Sequence, residues 1–269
     1  MLITVAIVPG PPAFVAELMG SAAHELDQLR HAADSVVSHA VCDLVSAAAD
    51  SSFSDADPAQ LVIVGPGKPG EFNAAGPVSF GGFGRDVVVP ALVEVADRSH
   101  QSDHRAAEDR LLPTSLMVAR HLASRDVAAH PDHADLWASA RWITTSGVDA
   151  TALGEELREG GTRIALILVA DGATCHGPKA PRAEDSRAPA YEKAVCVALA
   201  SGQPGRLAVL DADLGRELGA TGCQLWPVLL AATDGDWIGE LASSGAPYGV
   251  GWAVAAWRRP ATGMSAARA

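Results

Sequence analysis

The chain has 269 residues, with 20 Lys+Arg against 32 Asp+Glu and a formal net charge of −12. That length suits one large domain or two small ones, and 48% hydrophobic against 19% charged residues is too apolar for a disordered chain. The negative charge repels phosphate backbones and no Lys/Arg stripe interleaves with aromatics, so nucleic acid is excluded as an expected partner.

Leu2–Val8 is an apolar, β-branched run stopped by Pro9-Gly10-Pro11-Pro12, which predicts a buried strand rather than a signal peptide or membrane span. Phe14–Val45 carries apolar residues every three or four positions and predicts an amphipathic helix with His24 and His31 on its surface. Leu61–Val64 reads as a second strand, entering the Gly/Pro-rich stretch Gly65–Gly84, and Asp86–Val95 as a third. Residues 97–112 are densely charged and expected to be exposed. Pro113 opens a helix to about Ser124, Trp142–Thr145 is a weak strand, and Asp149 caps a short helix closed by Gly160-Gly161. Ile164–Ala170 is the clearest strand. After the polar loop Asp171–Arg187, helices are predicted over Pro189–Ser201, Asp211–Gly219 and Leu225–Ala232, and a last strand over Tyr248–Trp257.

This alternation predicts an α/β fold, a layered mixed and mostly parallel sheet with helices on both faces. Residues 1–257 are expected to form one domain and 258–269 a disordered tail. No apolar stretch is long enough to span a bilayer, and Cys42, Cys175, Cys196 and Cys223 form no CxxC pair. A soluble, cytoplasmic protein is expected, with a small-molecule ligand, no membrane partner, and homo-oligomerisation left open.

Ligands of such sheets bind beyond the carboxyl ends of the strands. The loops there are 9–12, 65–84 and 171–187, and His176 is the only histidine in any of them. It lies six residues past a buried strand, between Cys175 and Gly177, as a candidate acid or base lining the deepest cleft. Lys179 and Arg182 follow it and suit an anionic ligand. The pairs His130/His133 and His100/His104 have metal-like spacing but lie in polar segments without an evident third ligand, which favours a solvated face. GPGKPG (65–70) lacks the phosphate-loop pattern and spends two positions on proline, which disfavours nucleotides. Cys223 precedes a predicted helix, where the dipole would favour a thiolate.

The order of several motifs resembles the class III extradiol ring-cleavage dioxygenase catalytic-subunit (LigB-like) superfamily and its relative Memo. The opening IVPGPPAFVAELMGSAAHELDQLR is similar to the first strand and helix of that family, and VADGATCHGPKAP to the loop with its catalytic histidine. ATGCQLWPVLLAA is similar to a Memo segment with a metal-binding cysteine, and APYGVGWAVAAW to the last strand. With SFGGFGRDVVVP, the chain is most similar to uncharacterised actinobacterial LigB-like proteins. The resemblance implies a LigB-like fold, Fe(II), His176 as catalytic acid/base and Cys223 at a metal position. It also brings Lys68 forward, as a polar side chain in the loop where the family carries a second histidine. Gly10 stands where the first iron-binding histidine belongs, and GPGKPG holds no histidine. The function expected on this basis is a LigB-like protein with a degenerate metal centre that acts on a small aromatic or polar acid. The alternatives are a non-enzymatic binding or regulatory protein, or an iron dioxygenase with an atypical ligand set such as Cys223, His176 and Glu71.

Overall fold

A computed structural model describes residues 1–49, 59–92 and 112–260. In chain order its elements are β1 (Leu2–Val8), α1 (Ala16–Met19), α2 (Asp27–Ala49), β2 (Ala59–Pro66), β3 (Gly70–Phe72), β4 (Val78–Ser79) and β5 (Val88–Val89). They continue with α3 (Thr114–Ala129), α4 (Ala134–Ala138), β6 (Arg141–Thr145), α5 (Val148–Glu159), β7 (Arg163–Val169) and α6 (Ala188–Ser201). The last are α7 (Pro204–Ala208), α8 (Ala212–Glu217), α9 (Trp226–Ala232), β8 (Ile238–Gly245) and β9 (Trp252–Arg258).

The three apolar runs foreseen as strands lie side by side, as β2-β7-β1 at the centre of a seven-stranded sheet ordered β3-β6-β2-β7-β1-β9-β8. β6, β2, β7 and β1 are mutually parallel. β3 and β9 run against their neighbours β6 and β1, and β8 runs against β9, so it points the same way as β1. The fold is thus α/β with a mixed, mostly parallel sheet. Alternate residues of the central strands face two separate apolar layers, as the period of two requires. Val5, Ile7, Val62, Val64, Leu166 and Leu168 pack with α5, α6 and α9. Ala6, Val8, Leu61, Ile63, Ala165 and Ile167 pack with α2 and α3. Burial on both faces is why these strands read as continuous apolar runs.

Several expectations need correction. The helix expected over 14–45 is broken. Two 3-10 segments flank α1, and Gly20 sits at φ 56, a left-handed conformation that glycine takes without strain. α5 is capped by Gly147, with Asp149 inside its first turn rather than at the cap. The strand expected over 86–95 shortens to Val88–Val89, with 93–95 outside the described residues. Arg258 closes β9, and the Arg259 Nε donates to the Leu2 carbonyl at 3.0 Å, so the start of the expected tail is tied to the sheet. Residues 261–269, and His100 and His104 in the charged stretch, lie outside the described residues. His133 is not solvated: it is 3% exposed, and its Nδ1 is 2.9 Å from a buried Asp126 oxygen. Among the described residues, no helix is long and apolar enough to cross a membrane.

Candidate functional site

Because β1, β2 and β7 are parallel, their carboxyl ends share one edge of the sheet. Gly10 follows β1, and its N–H donates to Asp171 Oδ1 at 2.9 Å, just beyond β7. The Asp171 N–H donates to Thr221 Oγ1, and the Gly222 N–H to the Asp171 carbonyl, both at 2.9 Å. Loops 9–12, 171–187 and the Cys223 segment therefore meet. The strand ends are also closely covered. A Cβ on Gly10 would lie 2.8 Å from Val169 Cγ1, and one on Gly65 would lie 2.5 Å from Ser115 Oγ at the start of α3.

The loop carrying His176 is clasped from the other side by the segment before β9. The His176 N–H donates to the Gly249 carbonyl at 3.0 Å, Gly172 N–H to Gly251 O and Gly251 N–H to Ala173 O, both at 2.7 Å. Into this clasp reaches Glu192 from the first turns of α6. Its Oε2 accepts from the Ala173 N–H at 3.1 Å. A Cβ on Gly172 would come within 2.0 Å of that carboxylate, and one on Gly251 within 2.1 Å. The carboxyl thus occupies a slot that exists because both walls are glycine.

His176 Nε2 lies 3.7 Å from Glu192 Oε2, and both side chains are 11% exposed. Neither His176 Nε2 nor Glu192 Oε1 has a hydrogen-bond partner in the protein, although buried polar atoms normally find one. Burial, with the Asp171 charge adding to it, pushes the Glu192 carboxyl up to about 7. Burial likewise raises Asp171 to about 6, against the opposing hydrogen bond from Gly10. His176 is lowered by desolvation. All three shifts favour the uncharged form of the group.

The other expected site residues fare differently. Cys175 faces away from His176, with its Sγ toward the Leu218 carbonyl at 3.5 Å. Arg182 is exposed and its guanidinium lies over Gly219, while Lys179 is exposed on the same loop. Lys68 is exposed in the turn from β2 to β3, its carbonyl accepting from Thr144 Oγ1 at 2.6 Å. No hydrogen bond or ion pair among the described residues joins it to His176. Cys223 is 7% exposed and donates to the Ala220 carbonyl at 3.0 Å. Burial raises its thiol, the reverse of the thiolate expected from its place before α9. Two clefts open elsewhere, about 460 Å³ beside His31, His39, Glu240 and Arg258 and about 310 Å³ beside Glu71, Arg141 and Asp149. His176 lines neither of these two clefts.

An iron centre of two imidazoles and a carboxylate does not fit these strand ends. Gly10 offers no ligand and no room for one, and the Cys223 thiol is engaged by a carbonyl. Glu71 is drawn to Arg141 at the far edge of the sheet, 3.0 Å away, which removes the set Cys223, His176 and Glu71. Asp171 and Glu192 were not singled out from the sequence. The signal for Glu192 was a carboxylate on the apolar face of α6, beside Tyr191 and one turn before Val195.

No family model matches the chain. No curated protein matches it either. Among solved structures, it is similar to an uncharacterized protein of Escherichia coli K12, with 12% identity and a TM-score of 0.41 over 96% of this chain and 100% of that one. A likeness of that degree carries no argument here.

Proposed function

We propose that the protein binds a small anionic, aromatic or polar acid at the carboxyl edge of its sheet, with His176 and Glu192 as its proton-transfer pair. The observation that carries this reading is the pair itself: two titratable groups 3.7 Å apart, each with an unpartnered buried atom. A neutral imidazole accepts a proton from a ligand hydroxyl, and Glu192, balanced near 7, holds or returns one. Lys179 and Arg182 on the same loop supply positive charge for a carboxylate. The LigB-like and Memo resemblance and a cytoplasmic location belong to this reading, with metal-independent chemistry at His176 in place of iron. The glycine at the first ligand position favours, as the second reading, a binding protein that keeps the site without turnover.

The test is calorimetric titration with protocatechuate between pH 8 and 6, on the parent protein and His176→Ala. Glu192 and Asp171 lose negative charge over that range, so affinity for the anion should rise as pH falls. Loss of binding in the variant at unchanged Tm supports the site. Failure of the parent to bind at any pH, or undiminished binding by the variant, would sink it. Chemical change of the bound acid separates catalysis from binding alone.

A further inference from the structure

We propose that Asp126, His130 and His133 form a binding site for one divalent transition-metal ion, Zn²⁺ or a similar borderline cation, at the end of α3 away from His176. At 1.5 Å per residue, Asp126 lies about 16 Å along α3 from Ser115 at the carboxyl edge of the sheet. Asp126 and His130, four apart, share a face of the helix end, and the 3-10 turn Pro131–His133 brings the second imidazole back over it. One ligand atom from each residue lies within 4.8 Å of the other two.

The two rings stack with centroids 4.9 Å apart, and each turns its Nδ1 to the same carboxylate. His133 Nδ1 is 2.9 Å from Oδ2, and His130 Nδ1 is 3.4 Å from Oδ1. Tetrahedral zinc with bonds near 2.0–2.1 Å spaces its ligand atoms about 3.3 Å apart, so small movements close the set. The His130 Nδ1 is buried and has no hydrogen-bond partner. Asp126 is 4% exposed and makes its ion-pair contacts with these two imidazoles. A metal ion bound at the edges of the two rings, in line with their Nδ1 lone pairs, would engage both nitrogens and the carboxylate at once.

The surroundings hold the carboxylate and the buried ring in place. Trp137 Nε1 donates to Asp126 Oδ2 at 2.7 Å and the Ser38 hydroxyl donates to Oδ1, fixing the carboxylate. The other nitrogen of His133, Nε2, lies 3.8 Å from Cys42 Sγ, an outer partner for the ring. The His130 side chain is 41% exposed, so an ion can enter and a water can complete the coordination.

The experiment uses chelator-treated full-length protein titrated with Zn²⁺ by calorimetry and with Co²⁺ by its visible ligand-field bands. We expect uptake of a single Zn²⁺ and a Tm rise of about 5–10 °C at a hundredfold excess over Kd. His130→Ala should weaken Zn²⁺ binding by at least about 100-fold, and Cys42→Ser by about 10-fold. Because His130 is half-exposed, its variant should keep the Tm of the chelated parent, which separates lost ligation from lost folding. No uptake by the parent, or uptake by His130→Ala equal to the parent's, would overturn the proposal.

Discussion

Replacing Glu192 by Gln tests the buried carboxyl without changing its shape. In the folded protein its pKa is about 7 against an ordinary 4.5, so the native state binds the proton more tightly than the unfolded chain. The associated stability is present in full below pH 4.5 and is lost as pH rises through 7. That interval corresponds to about 3 kcal/mol, and at about 2–4 °C per kcal/mol for a chain of this size it amounts to roughly 6–12 °C. Lowered His176 acts oppositely, costing stability as pH falls below 6.5, so the difference between the two proteins is what isolates Glu192. Gln can still accept from the Ala173 N–H. Thermal unfolding of both proteins from pH 5 to 9 should therefore give similar Tm values at pH 5 and a more stable variant above pH 8. Curves that stay parallel across the range would refute the buried, proton-holding carboxyl, and with it the basis of the pair.

Gly251→Ala should cost about 1–3 kcal/mol by overpacking, and most of that cost should disappear in a Glu192→Ala background, since the added methyl meets Glu192 Oε2. Additive costs would show that the slot is not what confines the carboxyl. The purified protein should carry well under one equivalent of iron and release no yellow ring-fission product from protocatechuate. Gly10→His should not restore either, because its Cβ would lie 2.8 Å from Val169. Stoichiometric iron with ring cleavage would restore the dioxygenase reading.

The central strands were legible because each is buried on both faces, and an apolar run ended by Pro or Gly has few other readings. β8 was not. It lies at the sheet edge with every residue exposed or half-buried, so Ile238–Gly245 shows no apolar run, and its existence follows from pairing with β9. His176 was legible by position, one histidine past a buried strand. Glu192 was not, because its burial comes from Gly172 and Gly251, which are distant from it in sequence. The spacing of His130 and His133 was visible, but polar neighbours suggested exposure, and Asp126 was not joined to them. The turn at Pro131 folds the histidines back over α3, and no local pattern reports that.

The glycines at the strand ends decide what chemistry this edge can hold. Side chains at Gly10 and Gly65 would project where Val169 and Ser115 already stand, so those two positions are filled by the fold itself. The Gly10 N–H is spent on Asp171. Beside it, Gly172 and Gly251 admit a second carboxyl to within 3.7 Å of His176. With the imidazole neutral, Asp171 and the buried Glu192 carboxyl are costly to charge together without a cation beside them. A proton is the smallest one available near pH 7, and an arrangement that must take up or release a proton when a charged ligand arrives is suited to acid–base chemistry.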